Sequence, residues 1–214
     1  MKRIALITNT KLHHKYWVYE LNKRFEVKLI IHPKSRNKNI VKKIIGDGNI
    51  ILVILKILSI IYNQLSLSSF SYKLKRAENK YFGSFSEKYD SINDKIKYQV
   101  DSVNSDFTIN LLKSSKIDII CFLGGDIANK RFFNVLTNTI ILNFHSGISP
   151  YYNGNKTTFH ALSDFRPNFC GGTLMKMNYK IDGGSIISHY LTPIALNDSV
   201  ADLFFKGIIG SVKL

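Results

Sequence analysis

An amide and an imidazole stand two residues apart at Asn143 and His145, and a carboxylate, Asp182, follows in a later polar stretch. Histidine titrates near neutral pH, so it can take up or release a proton while an amine attacks a carbonyl carbon. An asparagine amide can donate a hydrogen bond to the oxyanion that develops there, and a carboxylate can orient the imidazole or stabilise its charge. Together the three residues predict a site for this chemistry.

Each of these residues also has an ordinary structural explanation. Asn143 can simply end a strand, and Asp182 followed by Gly183 is a common turn sequence. His145 can be a buried histidine whose hydrogen bonds are satisfied. Residue types and spacing alone therefore give a hypothesis of a three-residue site.

A metal site is the alternative that the histidines raise. His145, His160, His189 and Asp182 could converge in the folded chain, and such side chains bind several metals. However, the sequence has no short-range pair such as His-x-x-x-His. We therefore predict no metal.

The two cysteines do not indicate a special chemistry. Cys121 and Cys170 offer neither a disulfide framework nor a Cys-x-x-Cys metal pair. Their apolar or glycine-rich surroundings predict buried free thiols. Neither Cys170 nor Ser146 lies in a nucleophile elbow, so covalent catalysis is not indicated.

A short apolar run positions the amide and the imidazole. Residues 139–142 are β-prone and lie between two asparagines, which predicts a buried parallel strand. Asn143 and His145 then come at the carboxyl end of this strand, with side chains on the same side of the chain. In open α/β sheets, ligands bind in the crevice beyond the carboxyl ends of the strands.

The start of the chain predicts a parallel α/β sheet. Residues 3–8 form a compact apolar run, residues 13–25 carry apolar side chains on one helical face, and residues 27–31 form a second strand that His32 and Pro33 end. No Gly-x-Gly-x-x-Gly follows the first strand, so a dinucleotide is not indicated. Further predicted strands cover 98–100, 117–123, 171–175 and 185–190, and further predicted helices cover 106–112 with Ser105 as N-cap, 158–162 and 200–209.

Residues 34–96 interrupt this alternation and predict a helical insertion of two or three helices. Within it, residues 50–62 are apolar except for Lys56 and Ser59. This stretch is too short to span a bilayer, which needs about 20 residues. We predict a packed helix, with an interfacial helix as the alternative.

The net charge of +15 is concentrated in the first part of the chain. Residues 1–80 carry 17 Lys and Arg against 4 Asp and Glu, whereas residues 81–214 carry 13 against 11. Such a basic region suits a phosphate-bearing ligand, a nucleic acid or an anionic membrane surface. A solvated lysine-rich surface is the plain alternative.

Residues 143–154, Asn-Phe-His-Ser-Gly-Ile-Ser-Pro-Tyr-Tyr-Asn-Gly, resemble the signature of the folate-dependent formyltransferases. That family includes glycinamide ribonucleotide, methionyl-tRNA and sugar N-formyltransferases. Its pattern is Asn-x-His, a proline five residues on and a glycine four later, followed by Gly-x-Thr and Asp-x-Gly. Residues 171–173 match the Gly-x-Thr motif, and residues 182–184 match the Asp-x-Gly motif. The resemblance implies a Rossmann-like α/β fold with an open, mostly parallel sheet and helices on both faces.

The resemblance also implies roles for individual residues. Asn143, His145 and Asp182 would be catalytic, and 10-formyltetrahydrofolate would give its formyl group to a primary amine. The pterin would lie against two loops, largely through backbone groups. The residues implied in binding it are Phe122, Leu123, Gly124, Gly125, Asp126, Met177, Asn178 and Ile181.

Two residues depart from the pattern, because Asn153 replaces an arginine and Met175 replaces a histidine found in many relatives. No segment resembles the C-terminal domain that methionyl-tRNA formyltransferases use on tRNA. We therefore expect residues 1–214 to be a single catalytic domain, truncated or minimal, without a nucleic-acid partner. The expected acceptor is a nucleotide-linked, and first of all dTDP-linked, amino sugar used in surface polysaccharide synthesis.

Other functions remain as alternatives. The acceptor could be glycinamide ribonucleotide or methionyl-tRNA, or water in a formyltetrahydrofolate hydrolase. The basic region of residues 1–80 and the apolar stretch of residues 50–62 also suit a non-catalytic member that contacts an anionic membrane. We expect a cytoplasmic protein, because no signal peptide is recognised at the start of the chain.

Overall fold

A computed structural model describes residues 2–34, 54, 71–180 and 182–214 of the chain. The strands are β1 (Ile4–Thr8), β2 (Val27–Pro33), β3 (Lys97–Val100), β4 (Ile119–Leu123), β5 (Ile140–His145), β6 (Gly171–Lys176) and β7 (Ser185–Leu191). The helices are α1 (Leu12–Arg24), α2 (71–82), α3 (Phe85–Asp90), α4 (Asp106–Ser114), α5 (Lys130–Val135), α6 (Thr157–Ser163) and α7 (Val200–Ser211). Two short 3₁₀ turns lie at Asp94–Ile96 and Pro167–Phe169.

The seven strands form one sheet in the order β3-β2-β1-β4-β5-β6-β7. The first five strands in this order pair in parallel, and β6 and β7 continue the sheet antiparallel. The chain builds outward from β1 to β3 and then returns to place β4 on the other side of β1, which makes a topological switch point. The predicted fold class, a Rossmann-like and mostly parallel α/β sheet, is confirmed.

Helices cover both faces of the sheet because its central strands are apolar on both sides. One core contains Leu6, Ile30 and Phe144 and includes side chains of α1, α2 and α7. The other core contains Ile7 and Ile141 and includes side chains of α4 and α5. The consecutive residues Leu6 and Ile7 of β1 therefore face opposite cores, as strand geometry requires.

Several predicted elements differ from the observed ones at their ends. The prediction that His32 and Pro33 stop the second strand is wrong, because β2 runs through Pro33, which pairs with Val100. At the last position of a strand the missing N–H of proline removes no further ladder bond. Helix α5 was not predicted, and its six residues are too few to show a hydrophobic period.

The predicted helical insertion is described only in part. Residues 71–82 and Phe85–Asp90 are helical, whereas the predicted helix at residues 50–62 lies outside the described residues except for Ile54. Among the described residues, no helix combines the length and apolar character needed to cross a membrane.

A buried histidine connects the end of β1 to the end of β4. The Thr8 hydroxyl donates to the Leu123 carbonyl oxygen at 2.8 Å, so it must accept from His14, whose Nδ1 lies 2.6 Å away. Burial, followed by the charges of His13 and Lys11, holds the pKa of His14 well below its ordinary value. His14 is therefore neutral in the fold, and it lies against Gly124, where the loop after β4 begins.

We expect this histidine to make the fold sensitive to mild acid. Its folded pKa lies below its unfolded value of 6.5, so the unfolded chain binds more protons and the free energy of unfolding falls as pH drops below that value. Burial also lowers the pKa of His32, which acts in the same direction. Urea unfolding at about pH 7 and about pH 5, above the range in which ordinary carboxylates titrate, should show a smaller pH-dependent loss in His14→Gln than in the wild type.

The matched control for this experiment is His160→Gln, on the exposed surface of α6. This control should keep the full pH dependence of the wild type. An unchanged pH dependence in His14→Gln would show that the burial of this imidazole does not control the acid response.

Candidate active site

Asn143 and His145 lie on β5 and face the same side of the sheet. His145 is 6% exposed and Asn143 is half-buried. Asn143 pairs with Phe122 of β4 and with Met175 of β6, so its side chain projects from the middle of three adjacent strands. Within the part of the chain that the structure describes, nothing hydrogen-bonds the Asn143 amide, which leaves it available to a ligand.

The two ring nitrogens of His145 have different partners. Nε2 lies 2.9 Å from the backbone oxygen of Tyr152. Nδ1 lies 3.5 Å from Oδ1 of Asp182. A carbonyl oxygen can only accept a hydrogen bond, so Nε2 carries a proton and donates it, and Nδ1 is the nitrogen that faces the carboxylate.

Asp182 reaches His145 from the loop between β6 and β7. Its backbone is left-handed, with φ of +48°, a conformation that aspartate tolerates better than most residues. Its Oδ2 accepts from the backbone N–H of Gly154 at 2.9 Å. Asn178 closes the same loop, because it accepts from the Lys180 N–H and donates to the Gly183 carbonyl oxygen, both at 2.8 Å. The predicted meeting of His145 and Asp182 is thus present in the fold.

This arrangement can hold a proton at a defined atom. The side chains of His145 and Asp182 are only 7% and 12% exposed, so solvent screens their interaction weakly. A second proton on the imidazole would lie at Nδ1, the nitrogen that faces Oδ1 of Asp182. The pair therefore offers a defined atom, Nδ1 of His145, for proton exchange on the sheet face that also carries the Asn143 side chain.

The segment after His145 is held in place by Thr173, the threonine of the Gly-x-Thr motif. The fully buried Thr173 hydroxyl donates to the Gly147 carbonyl oxygen at 2.6 Å and accepts from the Ser149 N–H at 3.0 Å. His189 donates from Nε2 to the Ser149 carbonyl oxygen at 3.0 Å. The motif threonine is thus a support for the chain that leaves His145.

The histidines named as candidate metal ligands do not assemble. His189 is bound to a carbonyl oxygen, and His160 is exposed on α6, where its ring lies 5.8 Å from that of Phe159. Among the described residues, no group of three or more His, Cys, Asp or Glu side chains could hold a metal ion.

The first loop implied in cofactor binding follows β4. The side chains of Phe122 and Leu123 are buried in the two cores, so they can meet a ligand only through their backbones. Gly124 and Gly125 have positive φ, of 65° and 100°, which lets the main chain come close to a ligand. Asp126 accepts from the Ser102 hydroxyl at 2.5 Å, so its carboxylate also fixes the loop to its neighbour.

The second loop follows β6 on the same face of the sheet. Met177 packs against the core that contains Phe122, and its N–H donates to the Ile141 carbonyl oxygen at 2.8 Å. Asn178 has the loop-closing role described above, and Ile181 lies outside the described residues. The Lys130 ammonium, at the start of α5, lies 5.4 Å from the ring centroid of Tyr179 and thus links the elements that follow the two strands.

Sequence reasoning missed the backbone groups of the site. The carbonyl oxygen of Tyr152 and the N–H of Gly154 hold His145 and Asp182, but every residue type supplies such groups and no sequence signal marks them. It also missed Lys130 and Tyr179, which belong to a helix and a loop without a characteristic pattern.

An apolar cavity of about 300 Å³ lies away from this site. Its lining includes Leu6, Trp17 and Phe144. These three residues belong to the core on one side of the sheet. Asn143 and His145 project from the other side, the side of Ile141. The cavity is therefore not the space in front of the imidazole.

Comparison with known proteins relates the chain to formyltransferases. No protein-family model matches the sequence. A methionyl-tRNA formyltransferase of Listeria innocua is 29% identical over 104 residues, which cover 45% of this chain and 33% of that protein. One of Lactococcus lactis subsp. lactis is 28% identical over 105 residues, or 49% of this chain and 32% of that protein. The matched residues span about a third of the length of these relatives.

Solved structures resemble nearly the whole chain. The phosphoribosylglycinamide formyltransferase of Streptococcus pneumoniae TIGR4 superposes with a TM-score of 0.63 at 13% identity, covering 100% of this chain and 94% of that one. A sugar N-formyltransferase of Shewanella sp. FDAARGOS_354 superposes with a TM-score of 0.56 at 15% identity, covering 100% of this chain and 66% of that one. A 4-N formyltransferase of Francisella tularensis superposes with a TM-score of 0.52 at 15% identity, covering 99% of this chain and 65% of that one. These superpositions show a shared fold.

Proposed function

We propose that this chain, which has the formyltransferase fold and shares sequence with members of that family, is an N-formyltransferase. It would move a formyl group from 10-formyltetrahydrofolate to the primary amine of a nucleotide-linked, and first of all dTDP-linked, amino sugar. The observation that carries the proposal is the contact between His145 and Asp182 on the same sheet face as Asn143. The chain would act as one catalytic domain in surface polysaccharide synthesis.

The three side chains have complementary tasks in this proposal. The unoccupied Asn143 amide donates to the formyl oxygen as negative charge develops on it. The His145 imidazolium would place a positive charge near that oxygen, and its Nδ1 proton, which faces Asp182, would pass to the folate nitrogen as the bond between that nitrogen and the formyl carbon breaks, while the attacking amine gives up a proton. The Gly154 N–H holds the second oxygen of Asp182, so the carboxylate keeps its orientation while the proton moves.

The folate supplies an activated formyl group on a tertiary nitrogen, and two loops are suited to hold its pterin. The positive φ angles of Gly124 and Gly125 favour a close approach of main chain to a flat ring. Met177 contributes an apolar side chain from the second loop, and Tyr179 adds an exposed aromatic ring. Ligand contact by Phe122, Leu123 and Asn178 would then be made by backbone groups.

The choice of an amino sugar as the acceptor rests on separate observations. Sugar N-formyltransferase and 4-N formyltransferase structures resemble the chain, but so do phosphoribosylglycinamide formyltransferases. The excess of 13 positive charges in residues 1–80 suits the phosphates of either kind of acceptor. Met175, which is buried and pairs with Asn143, makes this wall of the site apolar.

We expect the purified protein to formylate an amino sugar in a direct assay. It would be supplied with 10-formyltetrahydrofolate and, separately, dTDP-linked 4-amino and 3-amino dideoxy sugars, glycinamide ribonucleotide and methionyl-tRNA. Mass spectrometry of each acceptor would detect the added formyl group. Product with a sugar alone supports the proposal, and product with glycinamide ribonucleotide alone would move the assignment to purine synthesis.

Two further outcomes would contradict the proposal. Release of formate without any formylated acceptor would identify a formyltetrahydrofolate hydrolase. No turnover of the folate at all, together with salt-sensitive sedimentation on anionic vesicles, would identify a non-catalytic member that binds membranes.

A further inference from the structure

Gly147 lies two residues after His145, and its missing side chain leaves space that the site uses. A Cβ atom built there would lie 2.3 Å from the Tyr152 carbonyl oxygen, 2.7 Å from a Thr157 methyl carbon and 2.8 Å from His145 Nε2. All three distances are shorter than real Cβ contacts. The hydrogen bond between His145 and Tyr152 therefore passes through a gap that only glycine leaves open.

Tyr152, which supplies this carbonyl oxygen, is held at two points, its backbone N–H and its phenol hydroxyl. The backbone N–H of Tyr152 donates to the Ile148 carbonyl oxygen at 3.0 Å, which closes the turn after Gly147. Its phenol hydroxyl donates to Oδ2 of Asp164 at 2.9 Å, at the end of α6, and its ring is buried beside Phe169. The acceptor that faces His145 thus has a fixed position before any ligand binds.

This acceptor decides which nitrogen of His145 can exchange a proton. If the neutral ring carried its proton on Nδ1, the lone pair of Nε2 would face the lone pairs of a carbonyl oxygen at 2.9 Å. The Nε2–H tautomer instead turns the Nδ1 lone pair toward Oδ1 of Asp182, but that contact is 3.5 Å long, at the limit of hydrogen-bond distance, so the closer carbonyl oxygen disfavours the Nδ1–H tautomer. Nε2 therefore keeps its proton, and Nδ1 is the atom that gains and loses one beside Asp182.

We propose that Gly147 and Tyr152 are positioning residues that keep neutral His145 in the Nε2–H tautomer and so direct proton exchange through Nδ1. The part of this inference that concerns catalysis rests on the proposed function. The tautomer itself is a property of the folded protein and exists without substrate. The two statements can therefore fail separately.

The test is the tautomer of His145, read from ¹⁵N NMR of the imidazole in the protein without ligand. The wild type should show Nε2 protonated and Nδ1 unprotonated when the ring is neutral. Gly147→Ala should give a mixture of the two tautomers, because its Cβ displaces the carbonyl oxygen. Gly207→Ala is the matched control, since its nearest neighbour would lie at 3.4 Å, and it should leave the wild-type signal.

Activity provides the second measurement. In Gly147→Ala, kcat should fall about 10- to 100-fold, as expected for a displaced catalytic group, and its pH profile should shift while the KM for the folate changes little. Tyr152→Phe keeps the carbonyl but loses the hydroxyl bond to Asp164, so exchange of the Nε2 proton with solvent should speed up about 2- to 10-fold. This second variant decides the question if Gly147→Ala does not fold.

A wild-type ring in the Nδ1–H form, or an unchanged tautomer in a folded Gly147→Ala protein, would overturn the inference. Unchanged Nε2 proton exchange in a folded Tyr152→Phe protein would overturn it as well, because the position of the Tyr152 carbonyl oxygen would then not control the Nε2 proton. If the tautomers behave as expected but no acceptor is formylated, the positioning of His145 stands and the proposed function fails.

Discussion

Replacing His145 with asparagine is expected to lower the kcat of the proposed formyl transfer by about 10²- to 10⁴-fold, the usual contribution of a general acid or base. Asparagine places its amide where Nδ1 of the imidazole lies and loses the contact of Nε2 with the Tyr152 carbonyl oxygen, so circular dichroism must first show that the variant is folded. Asparagine cannot carry a proton toward Asp182. This change raises the free energy of the transition state, in which charge develops, and leaves that of the bound substrate nearly the same. Steady-state kinetics should therefore show a fall in kcat with a KM for the folate close to that of the wild type.

The control for this variant is His160→Asn, which makes the same chemical change on the exposed face of α6. It should leave kcat within about 2-fold of the wild-type value, as expected of a surface change away from the site. Wild-type kcat in a folded His145→Asn protein would show that the imidazole takes no part in the reaction.

Replacing Phe82 with alanine is expected to destabilise the fold by about 3–5 kcal/mol, because it leaves a cavity in a close-packed core. Phe82 is fully buried at the end of α2. Its ring lies 5.0 Å from that of Tyr16 in α1 and 5.4 Å from that of Phe205 in α7, so it joins three helices over one face of the sheet. Such a loss is a large part of the 5–15 kcal/mol that stabilises a typical domain.

Urea unfolding followed by circular dichroism would measure this loss. The matched control is Phe165→Ala, because Phe165 is 93% exposed and its truncation removes little buried surface. The control should stay within about 0.5 kcal/mol of the wild type. Equal stabilities of the two variants would show that α2 does not contribute to the core as the structure indicates.

The sheet could be predicted from the sequence because its central strands are apolar on both faces. Ile4–Thr8 is buried at every position, and Ile119–Leu123 is followed by two glycines that end the strand. The meeting of His145 with Asp182 came from a different source. Apolar runs cannot show which loop returns to which strand, and it was the ordered motifs of the formyltransferases that joined residues 37 positions apart.

Helix α5 and the finer geometry of the site depend on contacts that no sequence pattern encodes. Helix α5 is held by its N-cap, Asn129, which accepts from the Phe132 N–H, and by the burial of Phe132, rather than by a periodic face. The partner of His145 Nε2 is a backbone oxygen, which is independent of residue type. Gly147 could be interpreted only once the atoms around its missing side chain were known.

The most direct test of the site is a side-by-side assay of the wild type and His145→Asn with 10-formyltetrahydrofolate and the dTDP-linked amino sugars. Formylated sugar would be measured by mass spectrometry, after circular dichroism has shown that both proteins are folded. We predict formylated product with the wild type and at least about 10²-fold less with the variant. Equal product from both proteins, or no product from the wild type with any of the sugars, would contradict the account.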